Sequence, residues 1–188
     1  DGSRYSLADQ PVRFAKAKEA GDVRMLDIDA VYDPSSVKGK VVLVTGGNRG
    51  LGYAIAKEFA AQGAEVIVTV RREVEVEGVS KVISGIDVRD NEVGEKLVAG
   101  LDGKKVDILV NNAGYFMEAV EKVDSMDFEE QLKTIDICAI GPLRVTSALF
   151  NAGLLPSGSK VAMITSQGGS ISWRTTQNPE GHDYGHHM

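Results

Sequence analysis

The sequence predicts an α/β fold built on an open, doubly wound parallel sheet. Three observations predict it. From Lys40 onward, short β-branched runs alternate with helical patterns. The first run, Val41-Val42-Leu43-Val44, is apolar throughout, as a strand covered on both faces must be. A glycine-rich turn, Thr45-Gly46-Gly47-Asn48-Arg49-Gly50-Leu51-Gly52, joins that run to the first helical pattern. Strands alternating with helices imply right-handed crossovers and one parallel sheet.

Residues 1–39 read as an N-terminal extension, either lying over the domain or a leader without fixed structure, and residues 40–188 as the domain itself. In the extension, Phe14-Ala15-Lys16-Ala17-Lys18-Glu19-Ala20 predicts a short helix ended by Gly21, and Asp33-Pro34-Ser35-Ser36 a turn. In the domain, Leu51 to Gln62 predicts a helix with Leu51, Ile55 and Phe59 on one face, closed by Gly63. Strands are expected at Glu65 to Val70, Val82 to Ile86, Val106 to Val110 and Lys160 to Thr165. Asp90 to Leu101 places Val93, Leu97, Val98 and Leu101 on one helical face. A long helix is expected from the N-cap Ser125 to Leu154, kinked at Gly141-Pro142. The crossover Arg71 to Lys81 carries Glu73-Val74-Glu75-Val76-Glu77, a short strand or a solvated edge.

Composition excludes several classes. A net charge of −6 argues against general affinity for nucleic acid or anionic membranes. No apolar run approaches the roughly 18 residues of a transmembrane helix. The single cysteine, Cys138, precludes an internal disulfide and fits a soluble protein of a reducing compartment, the cytoplasm or an organellar matrix or stroma. The chain begins at Asp1 and is expected to be a processed product or a fragment, ending before the sheet is complete.

In open α/β sheets, ligands bind beyond the carboxyl ends of the strands. After the first strand stands the glycine turn, where positive φ and missing side chains admit a pyrophosphate. The helix that follows points free N–H groups at the phosphates. No P-loop lysine is present, so this is not an NTPase turn. After the second strand come Arg71 and Arg72, where an arginine accommodates the 2′-phosphate of NADP and an acid would bind the ribose of NAD. Arg49 adds charge nearby; a solvated basic pair is the competing reading. After the third, fourth and fifth strands come Asp87-Val88, Asn111-Asn112-Ala113-Gly114 and Ser166-Gln167-Gly168-Gly169.

With these five strand ends in register, the sequence from Lys40 onward resembles the short-chain dehydrogenase/reductase family. Thr45-Gly-x-x-x-Gly-x-Gly52 and Asn111-Asn-Ala-Gly114 carry the resemblance. It implies a Rossmann-like fold and hydride transfer between NADP(H), in preference to NAD(H), and a small carbonyl or alcohol. It implies that Thr45, Gly46, Asn48, Arg49, Gly50, Leu51 and Gly52 bind the cofactor with Arg71, Arg72, Asp87 and Val88. Asp87 would contact the adenine amino group. Asn112, Ala113 and Gly114 would line the adenosine side and steady the sheet. Ser166 matches the catalytic serine that steadies the carbonyl oxygen.

The sequence departs from that family's pattern at its acid–base centre. The family's general acid is a tyrosine whose pKa, about 10 when unperturbed, is lowered by a lysine four residues later. Tyr184 is followed at that distance by Met188. In the alternative register of Tyr184-Gly185-His186-His187-Met188, His186 takes the tyrosine's place, and a histidine pKa near 6.5 suits proton transfer. A metal site formed by His182, Asp183, His186 and His187 is the weaker reading, because ligand sets usually draw on several elements. Cys138 stands where the family has an asparagine, and is read as a small core hydrophobe. Two functions are therefore carried forward: an NADP(H)-dependent oxidoreductase using Ser166 with Tyr184 or His186, and a non-catalytic nucleotide-binding or scaffolding subunit. The expected setting is a homo-oligomer or a larger assembly.

Overall fold

Five parallel strands form one sheet in the order β3-β2-β1-β4-β5: β1 Val41–Thr45, β2 Glu65–Thr69, β3 Lys81–Ile83, β4 Ile108–Asn111 and β5 Lys160–Met163. The computed structural model describes residues 10–21, 33–115 and 124–165. The chain divides into two units, Asp1–Ser36 and Val37–Met188. In the first, helix α1 spans Gln10–Glu19, and Gly21 follows at φ +62°, as its helix-stop reading requires.

The sheet reverses direction of growth beside β1, which pairs with β2 on one edge and β4 on the other. Strand periodicity sorts the core. Leu43, Ile67 and Leu109 face α3 (Val93–Leu101) and α5 (Gly141–Asn151), meeting Val93, Leu97, Leu101, Val145 and Leu149. Val42, Val44, Val66, Val68 and Val110 face the other way, against Ala56, Ile55 and Phe59 of α2 (Gly50–Ala61). Both faces of the central strands are thus covered, which is why their runs are apolar without alternation. Each fully buried Val or Leu contributes about 1.5–3 kcal/mol relative to exposure.

Several boundaries differ from those read in the sequence. Strand β3 stops at Ile83, and Gly85 follows at φ +75°. Leu51 does not share the buried face of α2. It is 59% exposed at the helix N-terminus, while Gly52 and Ala56 turn inward. Residues 73–77 form no strand; the three glutamates and Val74 are exposed, so the solvated-edge reading holds.

The long helix begins later and bends earlier than expected. Helix α4 spans Phe128–Ile135 and is capped by Asp127, not Ser125. The Asp127 side chain accepts from Glu130 N at 3.1 Å, with Glu129 and Glu130 complementing the helix dipole. A π-helical turn, Asp136–Ile140, then leads into α5 at Gly141. The irregularity precedes Pro142 because proline has no N–H to donate and its ring crowds the preceding turn.

Candidate cofactor site at the carboxyl edge of the sheet

Thr45 ends β1 and is 1% exposed. Its Oγ1 accepts the backbone N–H groups of Asn112 (3.0 Å) and Ala113 (2.9 Å) just beyond β4. Asn112 returns the contact, its Nδ2 donating to the carbonyl oxygens of Thr45 (2.9 Å) and Gly46 (3.3 Å). Thr45 and Asn112 therefore weld the ends of the two central strands and fix the start of the glycine turn.

The glycines answer to this weld. Gly46 sits at φ +67°, and a Cβ there would lie 3.1 Å from Ala113 Cα. On Gly47 a Cβ would lie 2.5 Å from Val68 Cγ1. On Gly52 it would overlap Asn112 Nδ2 and the Gly46 carbonyl oxygen. Gly50 differs: nothing lies within 4 Å, and its φ of +56° alone favours glycine. Steric demand thus explains Gly46, Gly47 and Gly52, while Gly50 opens helix α2 onto free space.

No side chain caps α2; its N-cap is Arg49, in extended conformation. An uncapped helix start above a glycine cradle suits an anionic group such as a pyrophosphate. Asn48, Arg49, Gly50 and Leu51 are exposed around it, as are Arg71 and Arg72 after β2. After β3, Asp87 is half-buried and Val88 is buried, only 6% exposed. Asp87 Oδ1 accepts from Arg89 N at 3.0 Å, which leaves Oδ2 oriented by a fixed turn. The residues present fit a dinucleotide: a tight glycine turn after β1, an open helix start at Gly50, basic groups on one flank and an acid next to a buried valine.

Sequence reasoning missed a second layer behind these residues. Asp136 in the π-helical turn pairs with Arg144 of α5 at 2.8 Å and with Arg89 at 3.5 Å. The Arg144 guanidinium holds the Asp136 carboxyl below the usual carboxylate range. Arg144 Nη1 also donates to Val88 O (3.3 Å), and its Nε to Asn91 Oδ1 (3.2 Å). Asn111 Nδ2 donates to Thr146 Oγ1 at 3.2 Å, while Asn111 Oδ1 is buried with no partner among the described residues. Nothing in the local pattern flags these contacts: Asp136 and Arg144 lie eight residues apart across the π-helical turn, and the others join residues 35 or more positions apart.

Beyond Gly114, the Tyr115 hydroxyl donates to Glu130 Oε2 (2.6 Å), and Lys133 Nζ donates to Glu130 Oε1 (2.8 Å) while lying 4.2 Å from the Tyr115 ring centroid. Lys133 holds the Glu130 carboxyl below its ordinary value, with Tyr115 adding to the effect. Glu130 in turn holds the Lys133 ammonium above its own. Cys138 does not fill the core as expected. It is exposed, and its Sγ lies between Tyr115 N (3.4 Å) and Tyr115 O (3.5 Å). The π-helical turn carries that thiol off the buried helix face, which Ile137 and Gly141 occupy instead. Ser166, Tyr184 and His186, and the metal alternative of His182, Asp183, His186 and His187, lie outside the described residues.

The sequence profile of the family described as short chain dehydrogenase matches residues 40–178. The Caenorhabditis elegans protein named Probable 2,4-dienoyl-CoA reductase 3 is 37% identical over 145 residues, covering 69% of this chain and 46% of that protein. The Arabidopsis thaliana Peroxisomal 2,4-dienoyl-CoA reductase is 30% identical over 156 residues, covering 77% of this chain and 51% of that protein. A chain from Burkholderia multivorans solved with bound NADP superimposes with a TM-score of 0.68 at 26% identity, covering 79% of this chain and 66% of that one. The chain spans about half the length of the curated relatives it matches.

Proposed function

Because the chain belongs to the short-chain dehydrogenase family, we propose that it binds NADP(H) along the carboxyl edge of its sheet and serves an oxidoreductase acting on a carbonyl or alcohol. The observation that carries this reading is the flank of exposed arginines, Arg49, Arg71 and Arg72, beside the uncapped start of α2. The relative solved with NADP lends it support. Residues 40–188 form the cofactor domain in this reading, with residues 1–39 as an extension.

Each residue has a physical task. The N–H groups opening α2 take the pyrophosphate beside Leu51 and Gly50, which faces open space, while Thr45, Gly46 and Gly52 shape the turn that leads there. Arg71, with Arg49 and Arg72, takes the 2′-phosphate. Asp87 accepts from the adenine amino group against Val88. Asn112, Ala113 and Gly114 hold the adenosine side. When bound, the cofactor supplies or receives the hydride. Ser166 holds the carbonyl oxygen, and Tyr184 or His186 supplies the proton that oxygen needs on reduction.

The test is a fluorescence titration with NADPH and NADH, followed by turnover across a panel of aldehydes and ketones. Tight NADPH binding with turnover supports the enzyme. Tight binding with no turnover anywhere favours the second reading, a nucleotide-binding or scaffolding subunit. Cys138 at the asparagine's position is the observation that favours that alternative, since a thiol cannot replace an amide in a water relay. The exposed apolar side chains Leu132, Ile135, Leu143 and Phe150 support a setting in which further apolar surface covers them, from a second copy or a larger assembly.

A further inference from the structure

Loop 87–91, which follows β3, is held from behind by the helical segment that follows β4. Gly141 lies directly against Val88: a Cβ there would stand 2.8 Å from Val88 Cγ2 and 2.9 Å from Val88 Cβ. Beside this contact, the Arg144 guanidinium spans three acceptors, namely Asp136 Oδ1 at 2.8 Å, Val88 O at 3.3 Å and Asn91 Oδ1 at 3.2 Å. The second Asp136 oxygen pairs with Arg89 Nε at 3.5 Å. Arg89 in turn donates its backbone N–H to Asp87 Oδ1 at 3.0 Å. The contacts close a ring that runs through Asp87, Arg89, Asp136, Arg144 and Val88.

A single exposed ion pair has little consequence for a fold. This one is different in kind. The Arg144 side chain is only 23% exposed, and its planar fork meets acceptors in fixed directions, as a lysine could not. A guanidinium that meets acceptors on both sides of a junction fixes orientation more than it adds stability.

We propose that the Asp136–Arg144 pair is a positioning device for base recognition: it sets loop 87–91 so that the Asp87 carboxylate selects a nucleotide base bearing an amino group. The inference rests on the cofactor reading above and goes beyond it by assigning the selectivity to residues that never touch the ligand.

The experiment compares NADPH with its hypoxanthine analogue, in which a carbonyl oxygen replaces the adenine amino group. Both are titrated by fluorescence against the full chain and its variants. The unaltered protein should bind NADPH about tenfold more tightly, as expected for one hydrogen bond to a charged acceptor. Arg144→Met should lose most of that preference, with NADPH binding weakened about tenfold and the analogue little changed. Arg144→Lys, which can keep the Asp136 contact but not the fork, should retain part of it. Asp136→Asn should resemble Arg144→Met, and the double variant should add little, as residues of one network do. Should Arg144→Met fail to fold, the Arg144→Lys and Asp136→Asn comparison carries the test.

A preference unchanged in these variants overturns the inference, as does an equal loss of both ligands, which marks general loosening. An unaltered protein that binds both ligands equally overturns it while leaving the cofactor reading intact. An unaltered protein that binds neither overturns both.

Discussion

Thr45 and Asn112 hold each other twice: the Thr45 hydroxyl accepts from Asn112 N at 3.0 Å, and Asn112 Nδ2 donates to the Thr45 carbonyl oxygen at 2.9 Å. The same hydroxyl also accepts from Ala113 N. Thr45→Val keeps the shape but strands two backbone donors. We expect a loss of about 2–3 kcal/mol in urea unfolding, with Thr45→Ser losing less than about 1 kcal/mol. Equal stability of the valine variant would show that the weld is dispensable.

The glycine turn offers a contrast between steric and conformational demand. Gly52→Ala would drive a methyl group into Asn112 and the Gly46 carbonyl. It should cost about 1–3 kcal/mol and abolish nucleotide binding, because the turn itself must move. Gly50→Ala meets no atom and should cost only about 1 kcal/mol, from its positive φ. Thermal melts and NADPH titrations of the two variants separate the effects; similar behaviour would contradict this assignment.

Arg71 decides cofactor choice in the proposed reading. Arg71→Asp should weaken NADPH about 10- to 100-fold while changing NADH little, since only NADPH carries the 2′-phosphate. The ratio of the two dissociation constants is the measurement. A parallel loss of both would remove Arg71 from phosphate recognition.

Asp107 couples stability to pH at the opposite edge of the sheet. Its Oδ2 accepts from Val41 N at 2.9 Å, joining the starts of β4 and β1, and Lys40 approaches Oδ1 at 3.3 Å. The Val41 N–H bond chiefly, with Lys40 assisting, holds its pKa below the ordinary carboxylate value. A carboxylate depressed on folding contributes stability above its unfolded value, about 3.9, and loses it as pH falls through the folded value. Asp107→Asn should therefore cost about 1 kcal/mol at pH 7, a modest figure because the side chain is 34% exposed. The difference from the unaltered protein should shrink as pH drops below about 4. A difference constant with pH would count against this account.

Local chemistry made much of the architecture legible in the sequence. Val41 to Val44 had to be covered on both faces, and the alternation of strands and helices left a parallel sheet as the economical packing. The sequence also located two of the strand ends and hence the chemistry, because Thr45 closes β1 ahead of the glycine turn and Asn111 closes β4 ahead of Asn112 to Gly114; it carried the third strand to Ile86, whereas β3 ends at Ile83, short of Asp87-Val88. It misplaced Leu51 and the surroundings of Cys138, which depend on which face of a helix meets the sheet, and it misplaced the N-cap of α4, where Asp127 takes the role through a local bond from Glu130 N.

What the sequence by itself determined is thus the fold class, the order of its elements and the position of the glycine cradle, all of which follow from periodicity and backbone freedom within a few residues. Only the tertiary structure decided that Asn112 closes over Gly52, that Arg144 reaches the Val88 carbonyl, and that a π-helical turn lifts Cys138 to the Tyr115 backbone. Those contacts join residues separated by tens of positions. They form only when parallel strands bring their carboxyl ends side by side, and no local pattern records that distance.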